Sequence, residues 1–273
     1  MSRNLALNSL NSAAGAPGQA ERCLESLFSQ NPGLSERDRA LAVHLVQGVL
    51  RWQIRLDWIL KQYVRFPFGK IDPVVLNILR LALFQILFLD RVPESAAVNE
   101  AVKQSKKMGQ KHVVSFVNGI LRRICREKDH LSYPRPEKER HLYQSVYYAY
   151  PLWLVKKWSH ELGPDSTEQL LKAGNEIPRL TIRTNTLRTS RQVLLNCLLE
   201  EGITGRATSF SPEGIELLNF KGSISRLKAF KDGLFQVQGE AAQVCAHLLT
   251  PRQDDVIADM CAGLGGKSSH LAE

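Results

Sequence analysis

The chain has 273 residues, of which 44% are hydrophobic and 23% charged, and its formal net charge is +9 at pH 7. This composition is typical of a globular protein with one large or two ordinary domains, and no apolar run of about 18 residues indicates a membrane span. The five cysteines form no Cys-x-x-Cys pair and the N-terminus lacks a signal-peptide core, so we expect a cytoplasmic protein without a disulfide framework or a zinc site.

Helical periodicity dominates the first 130 residues. Apolar residues recur at i, i+3 and i+4 over 39–64, and an apolar run occupies 74–90. Ser35 and Asp72 stand where helix caps are expected, and Pro73 suits the first helical position. Further helices are predicted over 20–30, 94–108 and 112–127. Several helices joined by short loops predict an all-helical bundle.

The positive charge is concentrated in this helical region. Residues 51–129 hold 15 Lys and Arg against 7 Asp and Glu, whereas the rest of the chain holds 21 against 20. Such a basic surface favours a polyanion such as nucleic acid, although a solvated basic face that aids solubility gives the same pattern. The cations that could contact RNA phosphates are Arg51, Arg55, Lys103, Lys106, Lys107, Lys111, Arg122 and Arg123. Trp52 and Trp58 lie on apolar stripes and are predicted to be core residues.

The sequence pattern changes after a segment with two prolines, 132–140, which is predicted to be a linker. A helix with aromatic residues is predicted over 150–163, and an alternating strand over 179–186. Ser190 caps an amphipathic helix that ends near residue 203. The remaining predicted elements are strands within 214–220 and 232–238, a helix over 239–250 and a buried strand over 255–261. We therefore expect an α/β region that begins with a small mixed subdomain.

The stretch GLGGKSSHL after the last predicted strand is a glycine-rich turn at the start of a helix. It does not meet the P-loop signature G-x-x-x-x-G-K-[ST], because the first glycine would fall at Cys261. The dinucleotide signature G-x-G-x-x-G also fails, since its last glycine would fall at Ser268. Backbone N–H groups at such a turn suit an anionic group of a small cofactor, and a turn without a ligand is the alternative.

Several stretches together resemble one family of RNA-modifying enzymes. DMCAGLGGKSSHLAE resembles the cofactor loop D-x-C-A-x-P-G-G-K-T of RNA cytosine-C5 methyltransferases, and FQVQGEAAQVCAHLL and RLTIRTNTLRTSRQVLLNCLLEEGI are similar to two further segments of these enzymes. ERDRALAVHLVQGVLRWQIRLDWIL and VPESAAVNEAVKQSKKMGQKHVVSFVNGILRR are similar to a NusB-type RNA-binding domain. This combination, over roughly residues 20–273, resembles the RsmB/Sun/Fmu family of 16S rRNA cytosine-967-C5 methyltransferases.

The resemblance implies a fold in three parts. These are an N-terminal all-helical NusB-like bundle over 1–132, linker helices with a small mixed α/β RNA-binding subdomain over 133–232, and the start of a Rossmann-like methyltransferase domain over 233–273. It also implies S-adenosylmethionine (SAM) as the cofactor and 16S ribosomal RNA as the partner. The residues that it assigns to the SAM loop are Cys261, Ala262, Gly263, Leu264, Gly265, Gly266 and Lys267.

The same resemblance places Arg183 and Asn185 near the RNA path, and we expect Asp259 to anchor the turn before the loop. Two positions depart from the family pattern. Leu264 replaces the loop proline and thereby removes a fixed φ, and Gly239 replaces an aspartate before the preceding helix. Both departures bear on the affinity for the cofactor.

No catalytic residue is assigned within the chain. In the family, a cysteine thiolate on a Thr-Cys motif adds to C6 of cytosine, and a second cysteine on a Pro-Cys motif assists release. Neither dipeptide occurs here, so we expect a fragment of a longer enzyme that transfers no methyl group by itself. Four cysteines lie on apolar helix patterns and are predicted to be core residues: Cys23, Cys125, Cys197 and Cys245.

Two classes of function remain open. The leading hypothesis is a SAM-dependent rRNA cytosine-C5 methyltransferase, and the alternative is a non-catalytic NusB-type RNA-binding protein in transcription antitermination or ribosome assembly. SAM binding discriminates between them, since RNA binding is expected of both. We further expect a monomer with no bound metal and no membrane partner.

Overall fold

The computed structural model describes residues 1–13, 17–220 and 222–273. The chain divides into two units, Met1–Glu176 and Ile177–Glu273, and each has its own hydrophobic core. A helical part and a small mixed α/β part are therefore both present, as the sequence predicted. The finer division at residues 132 and 232 stays a prediction.

The bundle of the first unit begins with six helices. They are α1 (Ser2–Ser12), α2 (Pro17–Ser29), α3 (Glu36–Tyr63), α4 (Pro73–Phe88), α5 (Glu94–Lys106) and α6 (Lys111–Arg126). The predicted caps are confirmed: the Ser35 hydroxyl accepts a hydrogen bond from the N–H of Asp38 at 3.1 Å, and Oδ1 of Asp72 accepts one from that of Val74 at 2.8 Å. Such caps satisfy N–H groups that lack partners within the helix.

The apolar helix α4 is central to the core of this unit. Ile78, Leu79 and Leu83 are completely buried. Arg80 on the same helix forms a bidentate ion pair with Asp57 of α3, with both N–O distances at 2.7 Å. The charge within the apolar run is therefore paired between two helices, which explains how a buried helix accommodates it.

Three more helices complete the first unit. They are α7 (Pro136–Tyr148), α8 (Leu152–Leu162) and α9 (Pro164–Gly174). The segment 132–140 was predicted to be a linker, and this is wrong for its second half, which belongs to α7. Pro136 occupies the first turn of α7, where its missing N–H costs no hydrogen bond, so here a proline starts a helix rather than ending one.

The predicted core tryptophans are confirmed. Trp52 stacks on Phe88 with ring centroids 4.7 Å apart, and Trp58 packs against the same core.

Among the helices of the described residues, none has the length and apolarity that crossing a bilayer requires.

The second unit is built on a small antiparallel sheet. Its strands are β1 (Leu180–Thr184), β2 (Gly205–Ala207), β3 (Gly214–Leu217) and β4 (Phe235–Val237), in the spatial order β2-β3-β1-β4. Its helices are α10 (Arg191–Glu200), α11 (Lys228–Lys231), α12 (Glu240–Leu249) and α13 (Gly266–Leu271). Ile182 pairs with Ile215 of β3 and with Val237 of β4, so β1 is a central strand. The Ser190 hydroxyl caps α10, as predicted.

The prediction of a buried strand over 255–261 is wrong. These residues, all of which the structure describes, form no strand, and Val256 and Met260 are 100% and 90% exposed. An apolar run becomes a strand only where a neighbouring strand supplies hydrogen bonds to its backbone. The glycine-rich loop therefore follows an extended, exposed segment, although the predicted helix after it, α13, is confirmed.

Candidate functional site

The glycine-rich loop, residues 261–267, is held at its base by Asp259. The carboxylate Oδ1 accepts a hydrogen bond from the N–H of Cys261 at 3.1 Å, and Oδ2 accepts one from the hydroxyl of Ser268 at 2.8 Å. Gly263 and Gly265 have φ values of 57° and 78°, which residues with a side chain rarely adopt. Asp259 therefore anchors the turn, as expected, and the two glycines allow the backbone to turn.

One side of the loop is open and has room for a small ligand. No atom lies within 4 Å of a Cβ placed on Gly263, Gly265 or Gly266, so the backbone there is accessible to a ligand. The N–H groups at the start of α13 have no partner within the helix, and donors of this kind match a carboxylate. Leu264 is fully exposed, so the side chain that replaces the family's proline fills no packing position.

Arg183 lies inside the second unit rather than on its surface. Its guanidinium donates to the carbonyl of Gly266 at 2.8 Å and to Oε1 of Gln238 at 2.7 Å, and it forms an ion pair with Glu273 at 2.7 Å. The side chain is 0% exposed because β1 is central and this face of it points at α13. The expectation that Arg183 contacts RNA therefore does not agree with its position: it fastens α13 to the sheet.

Asn185 shapes the turn that follows β1. Its amide donates to the carbonyl of Gly233 at 3.0 Å, and its Oδ1 accepts a hydrogen bond from the N–H of Leu187 at 3.2 Å. Both polar groups of the half-buried side chain are thus engaged within the protein. The sequence indicated a role for Asn185 at the RNA path, whereas the contacts indicate a role in folding this turn.

Several predicted RNA contacts on the helical unit already have partners. Lys103 pairs with Glu100 at 2.7 Å, and the hydrogen bond it donates lowers the pKa of that carboxyl below its ordinary value. Arg123 pairs with Glu127 at 3.0 Å and lowers its pKa in the same way. Arg122 donates to Asn118 at 3.0 Å. These side chains remain exposed, so an RNA phosphate would compete with the existing partners.

Three of the lysines predicted to contact RNA cluster at one turn. Lys106, Lys107 and Lys111, called here the lysine turn, lie at the end of α5, in the connection and at the start of α6. All three are exposed, and within the described residues none has an ion pair. Gly109, with a φ of 73°, reverses the chain between the two helices. Arg51 on α3 is exposed as well.

Arg55 is enclosed by aromatic rings. Its guanidinium carbon lies 4.4 Å from the ring centroid of Tyr147, 5.1 Å from that of Tyr133 and 5.5 Å from that of Phe88. Nε also donates to the Tyr133 hydroxyl at 3.0 Å. The side chain is half-buried and joins α3 to α7, so it does not present a free cation to RNA, contrary to the expectation from sequence.

We expect Arg55→Gln to lower the free energy of unfolding of the helical unit by about 2 kcal/mol, because cation–π contacts and hydrogen bonds are lost together. RNA affinity should change by less than about twofold. All four tryptophans lie in this unit, so their fluorescence during urea denaturation measures the effect. The control is Arg51→Gln, one helical turn earlier, which should leave stability within about 0.5 kcal/mol and weaken RNA binding. The reverse pattern would restore Arg55 as an RNA contact.

The cysteines differ in exposure. Cys23, Cys125 and Cys197 are partly buried, whereas Cys245 is exposed, so the prediction of a core position is wrong for Cys245. That residue lies on the outer face of α12, where the apolar pattern continues into solvent. Burial raises the pKa of Cys125 to about 11, with the nearby Glu94 carboxylate adding to the effect. A raised pKa favours the neutral thiol at pH 7, which is the less nucleophilic form.

Sequence reasoning missed the partners that hold α13 in place. Gln238, Ser269 and Glu273 all contact the Arg183 guanidinium, and although they lie within stretches that resemble the family, the resemblance gave none of them this role. One signal in the sequence could have indicated these partners: an arginine lies within the predicted strand LTIRT, where one face of the strand is expected to be buried. A buried arginine requires acceptors, which could have prompted a search for them.

Two family models match the chain. Residues 1–126 match the model described as the NusB family, and residues 150–222 match the model described as the Methyltr_RsmF/B-like ferredoxin-like domain. The first match covers α1 to α6, and the second includes β1, β2 and β3.

Relatives with known names are similar over most of the chain. A probable ribosomal RNA small subunit methyltransferase B of Bacillus subtilis is 34% identical over 271 residues, which are 99% of this chain and 59% of that protein. The protein of the same description from Synechocystis sp. is 36% identical, over 89% of this chain and 54% of that protein. The crystal structure of a protein called PH0851 matches with a TM-score of 0.71 at 21% identity, over 98% of this chain and 59% of that one, which shows a shared fold. The chain thus spans less than two thirds of the length of these relatives.

Proposed function

The chain belongs to the ribosomal RNA small subunit methyltransferase B family, and on that premise we propose that it carries the RNA-binding part and the SAM loop of an enzyme that methylates a cytosine of 16S ribosomal RNA at C5. The observation that carries the cofactor assignment is the loop at 261–267, which Asp259 anchors and whose glycines face open space. When bound, SAM supplies an activated methyl group.

The residues of this chain bind and orient the cofactor. N–H groups at the start of α13 bind the carboxylate of the methionine part, and the glycines keep the approach clear. Arg183 holds the carbonyl of Gly266 at 2.8 Å, so the end of the loop is fixed before the ligand arrives. A fixed loop lowers the entropy lost on binding, which favours affinity.

The lysine turn and Arg51 supply the attraction for RNA phosphates. Lys111 stands at the first position of α6, where the helix dipole disfavours a cation by about 0.3–1 kcal/mol. A lysine at this position therefore does not stabilise the helix. A contact with an RNA phosphate accounts for its presence there. Contacts of this kind position the RNA without reading its sequence.

Two titrations of the whole chain test the proposal. Isothermal calorimetry measures SAM binding, and fluorescence anisotropy measures binding of a labelled fragment of 16S ribosomal RNA at several salt concentrations. We expect one SAM per chain and an RNA affinity that falls steeply with salt. RNA binding without SAM binding would favour the non-catalytic NusB-type alternative, and failure of both would contradict either function.

We expect Gly263→Ala to weaken SAM binding by about 5- to 30-fold, because alanine lets the free loop relax at this position, and returning to the left-handed conformation on binding costs roughly 1–2 kcal/mol. The matched control is Gly266→Ala in the same loop, which is helical and has open space around the added methyl group. Its loss of SAM affinity should be smaller than that of Gly263→Ala, because the added methyl group narrows the approach to the loop without straining the backbone. Calorimetry measures both affinities. Equal losses of SAM affinity in the two variants would show that the volume of the added methyl group, rather than the backbone conformation, weakens binding.

A further inference from the structure

Three side chains that take no part in the proposed SAM and RNA sites converge in the second unit. Glu213 precedes β3, His247 lies on α12 and His270 lies on α13. One potential ligand atom from each lies within 4.8 Å of the other two. Nε2 of His247 is 2.8 Å from Oε2 of Glu213, and Nε2 of His270 is 3.9 Å from the same oxygen.

The hydrogen bonds of this cluster are incomplete. His270 is only 8% exposed, its Nε2 is too far from Glu213 for a hydrogen bond, and its Nδ1 has no partner among the described residues. Buried ring nitrogens are normally satisfied, because an unpaired polar group away from water is costly. A metal ion that accepts the lone pair of Nε2 would give that nitrogen a partner, whereas Nδ1 would still lack one within the described chain.

The spacing suits a tetrahedral metal. Zinc binds histidine nitrogen and carboxylate oxygen at roughly 2.0–2.2 Å, so neighbouring ligand atoms lie about 3.3 Å apart. The separations from Oε2 of Glu213, 2.8 and 3.9 Å, lie on either side of that value. The side chains of Glu213 and His247 are 17% and 39% exposed, which leaves an entry path from solvent.

We propose that Glu213, His247 and His270 bind one zinc ion, with water as the fourth ligand. Two imidazoles and one carboxylate with an open fourth position are a ligand set that zinc uses in proteins. The Ser211 hydroxyl lies 3.2 Å from Oε2 of Glu213 and 2.7 Å from Oε1 of Gln243, so the two acceptors share its single proton. Arg183 lies nearby, and its positive charge is paired with Glu273 at 2.7 Å. This pairing reduces the repulsion between the arginine and a cation at the site.

The ion would connect three elements that are far apart in sequence. Glu213 belongs to the turn before β3, whereas His247 and His270 belong to two helices that pack together. Bound zinc would therefore stabilise α13, the helix that follows the glycine-rich loop. The site depends on neither the SAM nor the RNA assignment, so the proposed function and the zinc site can fail separately.

Titration of the whole, tag-free and EDTA-treated chain with zinc chloride tests this site. We expect one zinc per chain by calorimetry and a higher Tm with zinc than with magnesium. Cobalt(II) in place of zinc should give the intense visible absorption of a tetrahedral complex. The absence of saturable zinc binding, or an octahedral cobalt spectrum, would overturn the proposal.

Variants assign the ligands. His247→Ala removes a partly exposed ligand without disturbing the core, and we expect it to weaken zinc binding by about 100-fold or more. Glu213→Gln keeps hydrogen-bonding capacity but removes the charge, and it should have a similar effect. The control is His160→Ala, an exposed histidine of the helical unit, which should leave the affinity unchanged. Zinc binding that survives both ligand variants would be adventitious and would overturn the assignment.

Discussion

Replacing Arg183 with methionine is expected to lower the free energy of unfolding of the second unit by about 3–5 kcal/mol. The guanidinium is completely buried, and its partner Glu273 has a side chain only 7% exposed. Removing the arginine leaves a buried carboxylate without a counter-charge and the carbonyl of Gly266 without this donor. The cost of those unpaired groups, more than the attraction lost, makes the effect large.

The measurement must report on the second unit by itself. All four tryptophans precede residue 177, so their fluorescence reports on the helical unit. Hydrogen exchange followed by mass spectrometry of peptides from β1 and β3 reads the second unit directly. Protection of those amides should fall by roughly 150- to 5,000-fold, which is the free-energy loss expressed as an equilibrium constant.

Two controls separate the buried pair from ordinary ion pairing. Arg206→Met breaks a pair with Glu216 at 2.6 Å on the same sheet, but the Arg206 side chain is 60% exposed, so we expect a loss below about 1 kcal/mol. The double variant Arg183→Met, Glu273→Gln removes both charges and should recover much of the loss. Equal effects of Arg183→Met and Arg206→Met would contradict the structural role given to Arg183.

The helices could be predicted because their signals are local. Ser35, Asp72 and Ser190 cap helices through hydrogen bonds to N–H groups two or three residues away, so a short stretch of sequence contains both partners. The 3.6-residue periodicity of α3 and the apolar run of α4 are equally local. Agreement between prediction and structure is therefore closest in the bundle.

Pairing over long distances could not be predicted in this way. The segment 255–261 has the composition of a strand, but composition does not state which strand would pair with it, and none does in the described chain. The family resemblance placed Arg183 near the RNA path, and no local pattern showed its burial, because its partner, Glu273, lies 90 residues away. Burial of a charge depends on such partners, which a local pattern does not contain.

The candidate sites also divide into a part with local sequence signals and a part that depends on residues far apart in the sequence. The backbone of the glycine-rich loop was predicted because glycine spacing dictates backbone conformation locally. The cluster of Glu213, His247 and His270 was not, since three separate elements bring it together and no metal-binding spacing is present. The absence of Cys-x-x-Cys pairs led to the expectation of no metal, which the zinc proposal now revises.

Neutralising the lysine turn with Lys106→Gln, Lys107→Gln and Lys111→Gln should weaken RNA binding by about 100-fold. Each phosphate contact releases about 0.9 of a counterion, which at roughly 0.15 M salt corresponds to about fivefold in affinity. The slope of log affinity against log salt should also decrease by roughly 2 to 3. Anisotropy titrations with the 16S fragment at a series of salt concentrations measure both quantities.

A control with the same change in net charge decides whether position matters. Lys138, Lys156 and Lys172 are exposed lysines of the same unit but lie outside the basic segment 51–129. Their replacement by glutamine should lower affinity by less than about threefold, because they neutralise no phosphate directly. Equal losses in the two triple variants would mean that overall charge attracts the RNA. A loss of RNA affinity only in the lysine-turn variant would instead mean that these lysines contact phosphates. Such a contact would offset the unfavourable interaction of Lys111 with the helix dipole at the start of α6.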